Sequence, residues 1–248
     1  MPFPPQDLPN DLKEKLEKFV DQHDFVSLYQ HYKWRKDTWE SGFPNILQLE
    51  LEVGGVAKSN ILKKENIISI IQWGNPRNAS RVKVDVPEIK LPLYKNGEPA
   101  PEIRQDPYGP LQTLKEKITS GAGLASLSKI LRFALPSEFG AIDSRIVRVM
   151  GEKESWLSLK VYYNGSQCCI KPESRQREKD EYSKWINILR FLAQLLNSKG
   201  VKCPHPKNFE EKRLRNPGEW TCADVEMALF SYATQNIPEG HSCPHHRG

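Results

Sequence analysis

Two glycines in one short stretch have the spacing to shape a binding site. Gly121 and Gly123 stand in TSGAGLASLSKILRFALPSEFGAIDSRIVRVM, residues 119–150, just before an apolar run. Glycines one residue apart let the backbone turn tightly and leave the first N–H groups of a following helix exposed. The helix dipole adds to these donors, so the pattern indicates a place where a phosphate can bind. A glycine cap in an ordinary pair of antiparallel helices would give the same pattern.

One acidic residue, Asp143, follows the apolar run, inside a segment that is otherwise apolar and basic. The chain turns back through Pro136 and Gly140, so the carboxylate is expected to return to the neighbourhood of the glycines. There it could stabilise a developing positive charge and orient or deprotonate an attacking water. Aspartate is also a preferred N-cap, here for the helix SRIVRVM, and the two roles are compatible.

Positive charge accompanies these residues on both sides. Such side chains neutralise phosphates and make binding depend on salt, although each is equally typical of a solvated helix surface. The residues concerned are Lys115, Lys117, Lys129, Arg132, Arg145 and Arg148.

Helices must position most of this chemistry, because apolar residues recur at helical spacing along much of the chain. Leu124, Leu127, Leu131 and Leu135 share one face of the helix that follows the glycines. Between 164 and 222 the clearest pattern is the apolar face of DEYSKWINILRFLAQLLNSKG. The predicted helices are DLKEKLEKFVDQH, DFVSLYQHYKWRKD, ILKKENIISIIQW with Ser59 or Asn60 as cap, LQTLKEKIT, LASLSKILRFAL, SRIVRVMG, the long helix just quoted, and TCADVEMALFSYATQ with Thr221 as cap.

Other segments predict extended structure. NILQLELEVGG, near residue 50, is ambiguous between helix and strand. Residues 77–108 are rich in proline and lack a helical period, so they form an extended insertion. Asn164-Gly165, flanked by apolar and aromatic residues, indicates a two-residue hairpin turn or a loop. The sequence therefore predicts one mainly α domain over residues 1–248 with a small extended or β-hairpin insertion.

Composition sets wider limits. Lysine and arginine total 36 against 31 aspartate and glutamate, a net charge of +5 that permits a polyanionic partner without requiring one. The chain has no apolar run of the roughly 20 residues that a membrane span needs, and its first residues lack a secretory pattern. Five cysteines, odd in number and sparse, are typical of a reducing compartment. We expect an intracellular monomer without a membrane anchor.

Cysteines and histidines near the C-terminus include enough potential ligands for zinc, but their spacing matches no compact finger pattern. No four-cysteine pattern for an iron–sulfur cluster occurs either. We therefore expect no metal and no cofactor. The residues weighed for this are Cys203, His205, Cys222, His241, Cys243, His245 and His246.

SGAGLASLSKILRF followed by AIDSRIVRVM resembles the helix-hairpin-helix motif and following catalytic aspartate of the helix-hairpin-helix DNA glycosylases, above all their 8-oxoguanine glycosylase-like branch. The specific match covers residues 111–151. The resemblance implies a two-lobed helical fold, a hairpin that grips the DNA backbone, and a damaged base flipped into a pocket between the lobes. It assigns bond cleavage to Asp143 and DNA contacts to Ser120, Gly121, Gly123, Lys117, Arg132, Arg145 and Arg148.

One position departs from the family pattern. Members that are also lyases carry a nucleophilic lysine two residues after the second hairpin glycine, and Ala125 stands there. Lys129, one helical turn later on the same face, is the candidate substitute; it is otherwise a phosphate contact or a surface charge. We therefore expect a monofunctional glycosylase that uses water on double-stranded DNA with a damaged, modified or mispaired base. A non-catalytic DNA-binding module is the alternative, and a helical protein without a nucleic-acid partner is a third.

Aromatic residues offer candidates for stacking on a flipped base or wedging into the duplex, although aromatics at helical spacing more often belong to a core. The candidates are Trp34, Trp39, Trp73 and Phe133.

Overall fold

The computed structural model describes residues 8–164, 167–171 and 173–237, and helix predominates among them at 56%, which confirms the mainly α prediction. The helices are α1 Asn10–Gln22, α2 Phe25–Gln30, α3 Pro44–Ala57, α4 Lys64–Gly74, α5 Pro76–Ala79, α6 Glu102–Gln105, α7 Gly109–Lys117, α8 Leu124–Ala134, α9 Ser144–Arg148, α10 Arg175–Ser198, α11 Lys207–Glu211 and α12 Cys222–Gln235. A π-helical turn, Val149–Lys153, continues α9.

The described strands are short and pair antiparallel in twos, so no larger sheet organises this part of the chain. They are β1 Lys33–Trp34 with β2 Asp37–Thr38, β3 Ile61–Lys63 with β5 Glu88–Lys90, β4 Lys83–Val84 with β8 Ile118–Ser120, β6 Tyr94–Lys95 with β7 Glu98–Pro99, and β9 Lys160–Asn164 with β10 Gln167–Lys171.

The helices pack in two groups. In one, α12 lies against α2, α9 and α10, and α1 packs on α10. In the other, α8 packs against α3, α4 and α7. The predicted leucine face of α8 is buried from Leu124 to Leu135, and so is the apolar face of α10 from Tyr182 to Leu196.

The second predicted helix is shorter than the sequence indicated. It ends at Gln30, and the chain then forms the β1–β2 hairpin, in which Arg35 has a φ of 58°. The buried carboxylate of Asp37 explains this, because it accepts hydrogen bonds from the N–H groups of Asn45 and Ile46 at 2.8 and 3.2 Å. Those contacts satisfy backbone donors at the start of α3. The segment near residue 50, which the sequence left ambiguous between helix and strand, is therefore helical.

The third predicted helix begins later than expected. Residues Ile61–Lys63 pair with β5, so α4 starts at Lys64 and neither Ser59 nor Asn60 caps it. Instead, the side chain of Asn66 accepts a hydrogen bond from the N–H of Lys63. Helical periodicity extends across this boundary, which is why the sequence alone places it wrongly.

The predicted extended insertion, residues 77–108, is extended for most of its length and includes two short helical segments, α5 and α6. Its strands return to the helical body, since β5 pairs with β3 and β4 pairs with β8. The hairpin predicted around residue 164 is present as β9 and β10, although Gly165 in its turn lies outside the described residues. Thr221 caps α12 as predicted.

Among the residues that the structure describes, no helix has both the length and the apolar character to cross a membrane.

Candidate functional site

The glycine hairpin between α7 and α8 is held by the extended insertion. Strand β8 pairs with β4, and the Ser120 hydroxyl donates to the Arg81 carbonyl at 3.0 Å. Gly121 has a φ of 80°, and a Cβ there would lie 2.6 Å from the Arg81 carbonyl oxygen. Both the backbone conformation and the close approach therefore require glycine at this position.

The second glycine, Gly123, precedes α8 and leaves its N-terminus open. No side chain caps this 11-residue helix, and a Cβ on Gly123 would meet no atom within 4 Å. The N–H groups at the start of a helix carry a partial positive charge and lack partners within the helix. The exposed side chains of Lys117 and Ser120 belong to the same hairpin. The open helix start is compatible with the anion site that the sequence predicts.

Two of the predicted phosphate contacts do not fit the structure. Arg132 and Arg148 are each 2% exposed, so neither can meet a phosphate at the surface in this conformation. Arg132 instead donates to Glu50 at 2.7 Å, and its Nε lies 3.8 Å from Glu226 Oε2. Lys115, on α7, is exposed but forms an ion pair with the buried Glu178 at 2.7 Å. The helical spacing of these residues was correct, but periodicity does not say which face of a helix is covered.

Asp143 caps α9, as expected from its position. Its Oδ1 accepts from the N–H groups of Arg145 and Ile146 at 2.9 and 3.0 Å. The other oxygen, Oδ2, lies 3.5 Å from Nη1 of Arg145. One carboxylate oxygen is thus committed to the helix, while the second shares only a long ion pair.

Asp143 also lines a small pocket of about 10 Å³, which has room for roughly one water molecule in this conformation and is partly open to solvent. The pocket lies where the two helix groups meet, since its walls come from α4, α8, α12, the β1–β2 region and the loop before α9. Its lining residues are Tyr32, Trp34, Trp73, Lys129, Arg132, Ala141, Asp143, Glu226 and Phe230.

Two of the four candidate stacking residues, Trp34 and Trp73, form an aromatic wall of this pocket. The Trp34 indole N–H donates to the Trp73 carbonyl at 3.4 Å, and the Trp73 indole N–H donates to Asp37 Oδ2 at 2.8 Å. Trp39 instead donates to the Pro204 carbonyl, and Phe133 is fully buried behind Trp73, their ring centroids 5.0 Å apart. The β1–β2 hairpin therefore places one of the predicted aromatics in the site.

Lys129 points into this pocket and is half-buried, so it is neither a solvated surface charge nor an exposed phosphate contact. Its Nζ lies 5.8 Å from the centroid of the Trp34 ring. A Cβ on Gly74 would come within 3.0 Å of the lysine Cδ, so the glycine at the end of α4 makes room for it. Burial lowers the pKa of Lys129, although Asp143 and Glu226 oppose this by favouring its charged form.

Arg145 joins the same cluster. Its guanidinium carbon lies 5.2 Å from the Trp34 ring centroid and 5.0 Å from that of Phe230. Cations over aromatic faces are attracted by the ring quadrupole. Arg145 thus lies beside the pocket, paired with Asp143 and largely covered, rather than being a freely exposed DNA contact.

Glu226 is the pocket residue that the sequence reasoning missed. It lies on α12, is 6% exposed, and its pKa is raised to about 7. Burial is the main cause and Asp143 adds to it, while Arg132 and Lys129 pull in the other direction. A charged residue inside the apolar run of TCADVEMALF was the available signal, and only the fold brings it to Asp143.

A second ionisable cluster is buried elsewhere, where ligand atoms of Cys203, His205 and Asp224 lie within 4.8 Å of one another. A metal would compete there with existing bonds. Both carboxylate oxygens of Asp224 accept a hydrogen bond from Nε of Arg215 at 3.0 Å. Cys203 Sγ lies 3.5 Å from His205 Nδ1. These contacts fit an internal polar network better than a zinc site. His241, Cys243, His245 and His246 lie outside the described residues.

No protein-family model matches the chain, and neither a curated protein nor a solved structure matches it significantly. The site geometry and the motif resemblance are therefore the basis for a functional proposal.

Proposed function

We propose that the protein is a DNA N-glycosylase that removes a damaged, modified or mispaired base, with Asp143 as its central catalytic group. The observation that carries this proposal is the position of Asp143, which follows a glycine hairpin and at the same time faces an aromatic, partly buried pocket. A flipped base requires a pocket with flat apolar walls and a few polar groups. The lining here has that character, and the pocket must widen from its present volume of about 10 Å³ when a base enters.

The chemistry assigned to Asp143 is electrostatic. Breaking the bond between sugar and base develops positive charge on the sugar, and a nearby carboxylate stabilises it. Asp143 Oδ2, which the α9 N–H groups leave available, is the oxygen suited to this role. The same oxygen can orient a water that attacks from the pocket.

The DNA backbone is assigned to the hairpin and the open start of α8. Gly121 shapes the turn, Gly123 leaves the approach clear, and Lys117 supplies exposed positive charge. Contacts of this kind position DNA without selecting its sequence. Arg132 and Arg148 have no part in this interface because both are buried.

A lyase activity through Lys129 is the second candidate. Its amine shares the pocket with Asp143, and burial lowers its pKa, which increases the uncharged, nucleophilic fraction. Lys129 would attack the sugar in place of water and form an imine. Borohydride reduction would then trap a covalent DNA complex that Lys129→Ala abolishes, whereas the hydrolytic reaction gives no trapped complex.

The deciding experiment uses the purified protein with duplexes that carry 8-oxoguanine, uracil, alkylated purines or mismatches, scored for abasic sites. Release of at least one base by the parent, and its loss in Asp143→Asn, supports the glycosylase. Salt-dependent duplex binding without any base release points to the alternative, a DNA-binding module. A protein that binds no duplex at low salt has no nucleic-acid function of this kind.

A further inference from the structure

A carboxyl group faces Asp143 and Lys129 from the opposite helix group. Glu226 lies on α12 and lines the pocket together with Phe230, one helical turn later. Its side chain is 8% exposed, and that exposure is toward the pocket. Neither hydrolysis by Asp143 nor imine formation by Lys129 uses it.

The backbone is shaped to hold this carboxyl group. The backbone of Ala141, two residues before Asp143, faces the Glu226 carboxyl group and favours its ionised form, which lowers its pKa against the effect of burial. The loop can approach because Gly140 has no side chain: a Cβ there would lie 2.8 Å from Glu226 Cβ and 2.4 Å from Leu189 Cδ1. Glu226 is thereby fixed relative to the loop that carries Asp143.

The neighbouring charges leave Glu226 incompletely neutralised. Arg132 is its nearest cation, at 3.8 Å, but that arginine is already bound to Glu50 at 2.7 Å. Lys129 contributes positive charge and Asp143 negative charge, both across the pocket. Tyr32 also interacts with Glu226 across the pocket, and burial raises the pKa of that tyrosine well above its usual value.

We propose that Glu226 is a further catalytic residue, the general acid that protonates the departing base. This rests on the proposed glycosylase function. The bond from the sugar carbon to the base nitrogen breaks, its electron pair stays on the base, and the carboxyl proton of Glu226 moves to a ring nitrogen or oxygen of the base. Water then adds its oxygen to the sugar carbon and gives a proton to Asp143. Asp143 then releases its proton to solvent and Glu226 takes one up, so both groups return to their starting state and each cycle consumes one water.

This assignment fixes the pH dependence. The acid must be protonated to act, and with a pKa of about 7 a large fraction of Glu226 holds its proton near neutrality. Base release should therefore fall as pH rises through about 7. General acid catalysis contributes roughly 100- to 10,000-fold.

The test measures single-turnover base release between pH 5.5 and 8.5 by the parent and Glu226→Gln, on whichever lesion duplex the parent cleaves best. We expect Glu226→Gln to be at least ~100-fold slower at pH 6 and to lose the alkaline decline. Glu181→Gln is the matched control. It makes the same change at a glutamate that is 2% exposed on α10 and bonded to the Ser158 N–H.

Folding is checked by Tm at pH 8, where Glu226→Gln should melt no lower than the parent, because the raised pKa means that folding disfavours the ionised carboxylate. Should the glutamine variant fail to fold, Glu226→Asp replaces it. This variant should be slower than the parent and keep the alkaline decline.

Three outcomes overturn the inference: parental rates in Glu226→Gln, an alkaline decline that survives in it, or parental rates in Glu226→Asp. Its failure is distinguishable from that of the proposed function. A parent that releases no base contradicts the glycosylase itself, whereas an active parent with an equally active Glu226→Gln contradicts only the role of Glu226.

Discussion

Asp224 and Glu226 lie two residues apart on α12, and both are buried, yet the pKa values of their carboxyl groups move in opposite directions. Burial alone would raise both. The pKa of Asp224 is lowered because its partners outweigh burial: Arg215 contributes most, followed by His205 and the Thr221 hydroxyl. At Glu226, burial prevails over the more distant Arg132, and the pKa rises to about 7.

The pKa values of the cations that face these two carboxyl groups also shift in opposite directions. Arg215 donates to Glu50 at 2.7 and 3.0 Å and to Asp224 at 3.0 Å, and these carboxylates raise its pKa despite burial. Lys129 has only longer-range attraction from Asp143 and Glu226, and burial lowers its pKa.

Two neighbouring positions near the start of α12 therefore have different surroundings: Asp224 belongs to a closed ionic network, and Glu226 lies at an open pocket. In the closed part, Arg215 and Asp224 have close partners that favour their charged forms. In the open part, the charges lie around a pocket, and the pKa of about 7 at Glu226 leaves that carboxyl group able to gain or lose a proton near neutrality, as proton transfer requires. The comparison separates buried charges that hold the protein together from those available for chemistry.

The largest effect is expected from disrupting the closed ionic network of Arg215, Glu50 and Asp224. Arg215→Ala leaves Glu50 and Asp224 buried without their shared cation, and we expect a loss of about 3–5 kcal/mol in the free energy of unfolding. Urea unfolding measures it. Lys212→Ala, an exposed lysine on the same segment, is the control and should cost almost nothing. A loss below about 1 kcal/mol in Arg215→Ala would show that the buried carboxylates of Glu50 and Asp224 do not depend on this arginine.

On the open side, Asp143→Asn should lower base release by at least roughly 100-fold, since such electrostatic stabilisation is worth about 3 kcal/mol. Stability should fall by at most about 1 kcal/mol, because the asparagine oxygen can still cap α9. Single-turnover kinetics and Tm measure the two effects separately.

Asp24→Asn is the matched control, since Asp24 caps α2 in the same way, accepting from the Ser27 N–H, and is exposed. Equal, small effects of the two asparagine variants on base release would reduce Asp143 to a helix cap.

The hairpin offers a smaller and sharper contrast between two glycines. Gly121→Ala forces a positive φ and a contact with the Arg81 carbonyl, so it should cost at least about 1–2 kcal/mol of stability. A Cβ at Gly123 meets no atom within 4 Å, so Gly123→Val should lower Tm less than Gly121→Ala does, by no more than the loss of a favourable N-cap residue. It should weaken binding to damaged and undamaged duplexes alike by roughly 2- to 5-fold, the size of a helix-terminus contribution.

Fluorescence anisotropy and thermal melting check this pair. Unchanged duplex binding by a folded Gly123→Val protein would remove the start of α8 from the DNA interface.

The smallest expected effect is on the salt dependence of duplex binding. Lys117→Ala should reduce the slope of log Kd against log salt concentration by about 1, because one phosphate contact is lost. Lys15→Ala on α1, also exposed, should leave the slope unaltered. If the slope of Lys117→Ala equals that of the parent, Lys117 does not contact a DNA phosphate.

Sequence periodicity predicted most of the helices, because apolar spacing directly reflects which residues a helix must bury. It correctly placed the leucine face of α8, the apolar face of α10 and the Thr221 cap of α12. It failed between residues 31 and 63, where long-range contacts of Asp37 and β5 override local propensity.

The charged residues of the site were predictable only where they are close in sequence, whereas the aromatic residues Trp34 and Trp73 were named as candidates without their position. Asp143 and Lys129 were named from one segment, and the fold places both in one pocket. Glu226 lies more than 80 residues after Asp143, and nothing local marks it as its neighbour. The burial of Arg132 likewise depends on Glu50, contributed by a distant helix.

Asp37 links the pocket to the rest of the molecule through a single carboxylate. It holds the first turn of α3 through Oδ1 and the Trp73 indole through Oδ2, and it belongs to the hairpin that carries Trp34. The aromatic wall and the start of α3 consequently form and open as one cooperative unit. Hydrogen exchange at the backbone amides of Asn45 and Ile46, which lie outside the pocket, therefore reports how often that wall comes apart.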